Sequence, residues 1–271
     1  MKIFQILMAG IFCLLGASSA YAGGDLTDYA YTPPPAANSC GGPFSGFYAG
    51  GLIGFGGAST KTNVGIELKD NDRGFTGGGV AGYNWQCNGW LLGAETDINY
   101  FNADMTTGIT CPTCGGDGGP SSLTFGSEIN WYGTLRARVG LVGTENFLIF
   151  ATGGLAYGGV DHSINSINAP TSTPGGSVTY SGSHSDTALG WTAGGGIEYL
   201  LNDNWAFRAD AMYVDFGSND ETFTAPSGSG CTESCTARIG YDDSFWVARV
   251  GLTYLFGAPA AAPAPAYEPM K

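Results

Sequence analysis

Apolar and polar residues alternate along eight stretches of the chain, and a period of two indicates a β-strand with one face in an apolar environment. The fourth stretch shows this most clearly, with an apolar face running from Ile129 to Leu141 and a polar face running from Asn130 to Arg138. By the same criterion we predict strands at residues 44–56, 77–86, 90–100, 128–142, 147–159, 187–200, 205–215 and 245–256.

The links between these stretches alternate between short and long. Short turns rich in Asn, Asp and Gly are predicted at 87–89, 143–146 and 201–204. Long polar loops are predicted near 57–76, 101–127, 160–186 and 216–244. Regular alternation of this kind is typical of an up-and-down outer-membrane barrel, with turns in the periplasm and loops outside the cell. A soluble β-sandwich gives less reason for it.

Composition and charge support this interpretation. The chain has 46 glycines, 13% aromatic residues and only 12% charged residues, which favours β-structure over a helical domain. A net charge of −13 argues against nucleic acid as a partner. After the N-terminal segment there is no run of 18 apolar residues, which excludes a helical membrane protein but not a membrane β-barrel.

The N-terminus has the features of a secretory signal. Lys2 precedes a short apolar core, and Ala20-Tyr21-Ala22 gives a small-x-small pattern that predicts cleavage after Ala22. Cys13 lies in the apolar core without a lipoprotein cleavage box, so we expect it to leave with the signal. The expected organisation is a signal peptide at 1–22, a Pro-containing periplasmic segment at 23–43, the barrel at 44–256 and an Ala/Pro-rich periplasmic tail at 257–271.

Charged residues inside the predicted strands indicate what fills the barrel. An Arg facing lipid near the bilayer middle costs about 2–4 kcal/mol, so these side chains are expected to face the lumen. The alternative is that some lie at strand ends in water. Four acidic and four basic residues lie on the strand face that is predicted to point into the lumen. They are Glu95, Asp97, Glu198 and Asp210, and Arg136, Arg138, Arg208 and Arg249.

We expect these charges to form four pairs that fill the interior of an eight-stranded barrel, which is just wide enough for side chains. The expected pairs are Glu95 with Arg138, Asp97 with Arg136, Glu198 with Arg208, and Asp210 with Arg249. Outward aromatic residues near strand ends, such as Trp90, Trp205 and Tyr213, fit the girdles of a membrane barrel. Aromatic residues of an ordinary core have the same spacing.

Several stretches together resemble the alphaproteobacterial outer-membrane surface antigens, also called outer membrane immunogenic proteins. These are "FSGFYAGGLIGFG", "GGGVAGYNWQ", "GAETDINY", "WYGTLRARVG", "ATGGLAYGG", "GWTAGGGIEYLLNDNWAFRADAMYVDFG" and "VARVGLTYLFG". The resemblance covers nearly all of the predicted barrel. It implies an all-β, eight-stranded antiparallel up-and-down transmembrane β-barrel of the OmpA type, with a role in outer-membrane integrity and surface exposure. It supplies no catalytic residues.

The end of the chain departs from the usual pattern, in which an aromatic residue read by the barrel assembly machinery finishes the protein. Here Phe256 is followed by "GAPAAAPAPAYEPMK". In polyproline geometry this tail reaches roughly 45 Å, so contact with peptidoglycan or another periplasmic partner is one hypothesis and a tail without a partner is the other. Outer-membrane lipid and lipopolysaccharide are the expected surroundings of the barrel.

Six cysteines remain after the signal, which allows 15 pairings. The predicted barrel places Cys40 and Cys87 at its periplasmic end, so we expect them to pair. The other four lie in long loops, where we favour the bridges Cys111–Cys114 and Cys231–Cys235. Four cysteines in CPTC and CTESC also suggest zinc, but their wide separation and the oxidising location disfavour a metal.

Two other functional classes stay open. A lipid-modifying enzyme would need a nucleophile and base, for which His162 and His184 stand beside Ser163 and Ser185, an arrangement common by chance. A surface-binding protein could hold a cation or host ligand on "KDNDRG" or "GSNDET", while spacing gives no support to haem binding by either histidine. We expect a structural protein without catalysis or cofactor, with a small porin or a ligand-binding or adhesin-type protein as the alternatives.

Overall fold

The computed structural model describes residues 40–63, 67–69, 74–113, 118–144, 146–170, 176–225 and 235–256. The predicted signal peptide, most of the N-terminal segment and the tail lie outside these residues. Within the described part of the chain, no helix has the length and apolarity needed to cross a bilayer.

The described residues form nine antiparallel strands, of which eight are long. The strands are β1 (Gly46–Thr62), β2 (Glu67–Lys69), β3 (Gly74–Cys87), β4 (Trp90–Cys111), β5 (Ser121–Thr144), β6 (Phe147–Pro170), β7 (Ser177–Leu200), β8 (Trp205–Ala225) and β9 (Cys235–Leu255). Each long strand pairs with its neighbours in chain order, and β1 also pairs with β9 from Tyr48↔Leu255 to Thr62↔Tyr241. This last pairing closes the eight long strands into a barrel, as predicted, while β2 pairs only with the end of β1.

The short links form one rim of the barrel. Asn88 and Gly89 both have positive φ, 49° and 83°, which is the backbone of a two-residue turn that matches strand twist. In the turn between β7 and β8, the Asn202 side chain accepts hydrogen bonds from the backbone of Asn204 (3.0 Å) and Trp205 (2.9 Å). The Phe256 amide donates to Phe47 at the same rim, so both ends of the described barrel lie there.

The structure differs from the prediction in the long links, much of which continue the strands. Residues 101–111 and 121–127 were expected in a loop but continue β4 and β5, and β6 to β9 extend in the same way. On their outer face these extensions carry mainly Ser, Thr, Asn and Asp in place of apolar residues, while Met105, Phe125 and Phe223 are buried on the inner face. They therefore lack the outward apolar residues that mark a membrane strand. Backbone pairing continues there, and the inward apolar side chains of the extensions pack into one buried cluster inside the barrel.

Two belts of exposed aromatic side chains mark the span of the membrane. Trp90 (58% exposed) lies at the rim of the short turns, and Tyr100 (56%) lies ten residues along the same strand. At ~3.3 Å per residue and a tilt of about 40°, this separation corresponds to ~25 Å, the height of an outer-membrane apolar band. Trp205 belongs to the first belt and Tyr213 to the second, and both are exposed as predicted.

A β-bulge in β5 changes which residues face the lumen, relative to the prediction. Residues from Tyr132 to Arg138 have the predicted phase, but Ile129 is fully buried and Asn130 is exposed. The register with β6 shifts between Ile129 and Trp131, which inserts one extra residue. One inserted residue reverses every side chain beyond it, because strand side chains alternate.

The pairing between β7 and β8 is much shorter than either strand. It runs from Leu200↔Ala206 at the short turn to Trp191↔Asp215. At that point β8 bulges between Asp215 and Ser218, with Gly217 at φ 68° and its amide donating to the Asp215 carboxylate at 2.8 Å. The described residues 177–190 therefore pair only with β6, and 216–225 only with β9.

Candidate functional site: the charged lumen

The barrel interior brings together all eight of the charged residues selected from the sequence. They come from β4, β5, β7, β8 and β9, and each is at most 7% exposed. Alternation along each strand places them inward, since their immediate neighbours in the chain lie on the outer face. Four carboxylates and four guanidinium groups balance in charge, as buried ionic groups must.

Glu95 is the hub of this network. Its carboxylate accepts hydrogen bonds from Arg208, which approaches from β8 with one contact at 2.9 Å and a second, shorter one. Arg136 donates to it from β5, and the Tyr48 hydroxyl donates from β1. Charge-assisted and bidentate hydrogen bonds of this kind are about twice as strong as neutral ones.

A second group of contacts surrounds Asp97 and Asp210. Asp97 accepts from Arg136 at 2.7 Å and from Arg249 at 3.2 Å. Asp210 accepts from Arg249 at 2.9 Å and from Arg208 at 2.8 Å. Arg136, Arg208 and Arg249 therefore each contact at least two carboxylates, and the set is one connected network.

Arg138 and Glu198 complete the network toward the short turns. Their side chains lie 2.8 Å apart, while Arg138 stays 3.7 Å from Glu95. The Arg138 guanidinium also lies over the Phe150 ring at 3.8 Å, and Arg208 lies 4.8 Å from the same ring. A desolvated cation over an aromatic face is stabilised by the ring quadrupole.

The network differs from the four separate pairs that the sequence suggested. Glu95 is the cross-strand partner of Arg136, whereas the expectation was Arg138, two residues away. Strands of a closed barrel are tilted and staggered, so equal distance from the short turns does not mean equal depth. Asp97 with Arg136 and Asp210 with Arg249 are in direct contact, whereas Glu198 approaches Arg208 only to 3.5 Å.

Tyr48 is the main participant that sequence reasoning missed. Its hydroxyl lies between Glu95 and Arg138, from which it accepts a hydrogen bond at 3.2 Å. Gly82 makes room for it, because a Cβ there would lie 2.5 Å from that hydroxyl. The glycines of β1 and β3 that provide this space also remove the alternation by which a lumen-facing tyrosine is recognised.

Apolar layers lie on both sides of the charged network. Toward the short turns, Phe44 is fully buried in a cluster with Leu52, Leu91 and Leu148, below the start of β1. Toward the long hairpins, Phe101, Tyr132, Phe216 and Phe245 pack with ring centroids 5.0–6.0 Å apart. The charged groups are thus shielded from water at both ends.

A smaller polar cluster lies above the aromatic layer, in the part of the barrel built by the hairpin extensions. Asp243 accepts from Thr60 and, at 3.3 Å, from Ser127, and its other oxygen lies 3.0 Å from Nε2 of His162. Both histidines lie on strands, where the sequence suggested a loop, and His162 is buried against Asp243. It therefore has no nucleophile–base contact with its neighbour Ser163, which is exposed.

The described cysteines fit a barrel with bridges at both ends. Cys40 and Cys87 form a disulfide with Cα atoms 4.1 Å apart, which ties the segment before β1 to the first short turn. Cys111 is also disulfide-bonded. Cys114, Cys231 and the side chain of Cys235 lie outside the described residues, so the two expected loop bridges stay predictions.

Comparison with known proteins places this barrel in a family. The model of the outer membrane protein beta-barrel domain matches residues 13–256. The 31 kDa outer-membrane immunogenic protein of Brucella melitensis is 31% identical over 93% of this chain and 99% of its own length. The 22 kDa outer membrane protein of Rhizobium leguminosarum is 28% identical over 75% of this chain and 79% of its own length.

Among solved structures, the outer membrane protein OprG from Pseudomonas aeruginosa aligns over 80% of this chain and 99% of its own, with 16% identity and a TM-score of 0.46. The Brucella relative is named as an outer-membrane immunogenic protein and the Rhizobium relative as an outer membrane protein, and neither name gives an enzymatic activity. On the sequence match and the closed barrel together, the chain belongs to the outer membrane protein beta-barrel family, as an outer-membrane surface antigen of the alphaproteobacterial immunogenic protein group.

Proposed function

We propose that this protein is a structural component of the outer membrane that supports envelope integrity and that its lumen is closed to steady ion flow. The observation that carries the proposal is the contact between Glu95 on β4 and Arg208 on β8. These strands are four apart in a ring of eight, so the pair spans the full width of the lumen. Side chains that meet across the diameter would interrupt a continuous water column.

The apolar layers support the same proposal. An ion passing through would have to cross the Phe44 cluster, displace buried ion pairs and then cross the layer around Phe245. Each step desolvates the ion without offering a site that replaces its water shell. The porin alternative would need a polar, water-filled interior from rim to rim.

The hairpin extensions support a role at the cell surface. β4 to β9 continue past the second aromatic belt by ten or so residues, which at ~3.3 Å per residue gives paired hairpins that extend above the membrane. The adhesin-type alternative rests on this surface. The lumen charges balance, so the excess negative charge of the chain lies outside the network.

We further propose lipopolysaccharide and outer-membrane lipid as the direct surroundings, and the barrel assembly machinery as the partner during insertion. The exposed Phe256, at the end of the last strand, is the residue that this machinery would read. The segments 1–22, 23–43 and 257–271 keep their predicted roles as signal, periplasmic leader and periplasmic tail, with peptidoglycan as the candidate contact of the tail.

Deletion and complementation test the integrity role. A strain without this protein should be more sensitive to detergent with chelator and to large antibiotics that the outer membrane excludes. The full chain and a variant lacking 258–271 should each restore resistance if the barrel alone carries the role. Unchanged permeability in the deletion strain would overturn the proposal, and restoration only by the full chain would assign the role to the tail.

A further inference from the structure

Side chains, and not backbone, join β7 to β8 on the extracellular side. Main-chain pairing ends at Trp191↔Asp215, where β8 bulges. Beyond this point His184 on β7 approaches Glu221 on β8, with Nε2 3.3 Å from Oε2. This contact lies on the line along which the barrel wall has no hydrogen-bond ladder, a line we call the β7–β8 seam.

A third donor lies at the same place. His184 and Asp186 are two residues apart on one strand and therefore share a face, and the donor atoms of His184, Asp186 and Glu221 all lie within 4.8 Å of one another. His184 is 52% exposed, whereas the Glu221 side chain is only 8% exposed. The cluster thus combines a fixed, buried carboxylate with two donors that solvent can reach.

We propose that His184, Asp186 and Glu221 bind a divalent transition-metal cation of the zinc class across the β7–β8 seam. Zinc takes imidazole nitrogen at 2.0–2.1 Å and carboxylate oxygen at 2.0–2.2 Å, so donors in a tetrahedral site lie ~3.4 Å apart. The observed 3.3 Å between His184 and Glu221 is this spacing. The donor atom of Asp186 lies within 4.8 Å of the other two, and Asp186 is exposed, so it is the ligand that would have to move toward the ion.

A buried hydroxyl next to the cluster independently indicates a missing polar partner. The Tyr241 side chain is 0% exposed, and its hydroxyl has no hydrogen-bond partner among the described residues. The Tyr241 ring is stacked on His162, the cross-strand neighbour of His184, with ring centroids 3.9 Å apart, which places Tyr241 beside the cluster. A three-ligand zinc site keeps a water in its fourth position, and that water would give this hydroxyl a partner.

His162, the other histidine of the chain, is not equivalent to His184. Nε2 of His162 is occupied by Asp243 at 3.0 Å, and its ring is stacked on Tyr241 with centroids 3.9 Å apart. His162 is the cross-strand neighbour of His184 and faces the same interior, but it is buried. It therefore provides a matched control for the loss of one imidazole at the same height in the barrel.

The consequence of metal binding is mechanical. A cation held by two residues of β7 and one of β8 would replace missing backbone pairing and hold the two strands together above Asp215. It would also offset the repulsion between the carboxylates of Asp186 and Glu221.

Zinc titration of the folded, oxidised full chain in detergent tests the proposal, with calorimetry as the readout and zinc chloride as the probe. We expect one zinc ion per chain. His184→Gln and Glu221→Gln should each weaken binding by at least roughly 10-fold, the loss that even an outer-shell partner causes. His162→Gln should keep the wild-type stoichiometry. The electrophoretic shift on boiling verifies that each variant is a folded barrel.

Backbone hydrogen exchange gives a second readout, because a simple ion pair between His184 and Glu221 would not make exchange depend on zinc. Zinc should slow exchange in 177–190 and 216–225 of the wild type and leave His184→Gln unchanged. The proposal is overturned if the wild type binds no zinc, or if binding is equal in His184→Gln, which would assign it to other donors such as cysteines. It is also overturned if zinc binds without changing exchange along the seam.

Discussion

Glu95 and Arg208 are 113 residues apart in the chain and lie on opposite walls of the barrel, yet their side chains form a bidentate ion pair in its centre. Both side chains are almost completely buried. Arg136 and Tyr48 reach the same carboxylate from two further strands. The Glu95 carboxylate therefore links four strands. We expect both the stability of the barrel and the closure of its lumen to depend on these contacts.

Removing the Glu95 charge should destabilise the barrel strongly. In Glu95→Gln the side chain keeps its size, but the lumen network holds one positive charge more than negative charges. Arg136, Arg138 and Arg208 keep Asp97, Glu198 and Asp210 as partners, so the cost is at most that of a fully unpaired buried charge, about 3–5 kcal/mol. Urea unfolding of the protein in lipid vesicles should show a correspondingly lower midpoint than the wild type.

The matched control is Glu128→Gln. Glu128 is exposed and faces Asp104 and Asp161 across the strands, so its removal relieves repulsion between like charges. Its unfolding midpoint should equal or exceed that of the wild type. Equal midpoints for Glu95→Gln and Glu128→Gln would show that the lumen network contributes no stability.

The sequence predicts which charged residues face the lumen because an arginine in a transmembrane strand avoids the cost of facing lipid only on the lumen side. It predicts their partners poorly, since which carboxylate meets which guanidinium depends on the stagger of the closed barrel. Asp97 and Arg136 meet as expected, but Glu95 is displaced by two residues relative to Arg138. Long arginine side chains then reach several carboxylates at once, a property that no strand-by-strand pattern contains.

Local irregularities explain the remaining errors. The sequence gives no signal for the bulge at Asn130, so simple alternation predicts that Ile129 faces lipid, whereas the bulge turns it inward. The hairpin extensions are largely polar on their outer face, so they lack the outward apolar residues by which the membrane strands were identified, although Met105, Phe125 and Ile164 are buried on the inner face. His162 and Asp243 are brought together only because those extensions keep the barrel closed above the membrane.

The end of the last strand should act as an internal assembly signal. Phe256 is 60% exposed, donates its amide to Phe47, and packs against Tyr254 with ring centroids 5.1 Å apart. Phe256→Asp should reduce the amount of protein in the outer membrane several-fold, whereas deletion of 258–271 should leave it unchanged. Fractionation followed by heat-shift electrophoresis measures both, and equal insertion of the two variants would refute the assignment.

The long hairpins should be accessible from outside the cell and the short turns should not. A maleimide that does not cross the outer membrane should label Thr222→Cys on the β8 extension in intact cells, above the wild-type background. Asp203→Cys in the turn between β7 and β8 should react only after lysis. Labelling of Asp203→Cys alone in intact cells would reverse the orientation.

The bridge between Cys40 and Cys87 should stabilise the barrel as well as hold its leader. It spans a sequence separation of 47 residues, for which the loop-closure model gives about 4 kcal/mol. The double variant Cys40→Ser, Cys87→Ser should unfold at lower urea and should expose the leader to protease. The single variant Cys40→Ser, with its free Cys87 thiol alkylated, should behave identically. A wild-type urea midpoint in both variants would contradict a stabilising role.

Ion conductance in planar bilayers tests the closed lumen most directly. The purified, folded wild type should show at most small and brief current events, because Glu95 and Arg208 meet across the full diameter of the barrel. The double variant Glu95→Ala, Arg208→Ala should open more often and conduct more. A large, steady conductance in the unmodified protein, unchanged in Arg138→Ala, would contradict both the ion-pair network as a plug and the structural role proposed for this barrel.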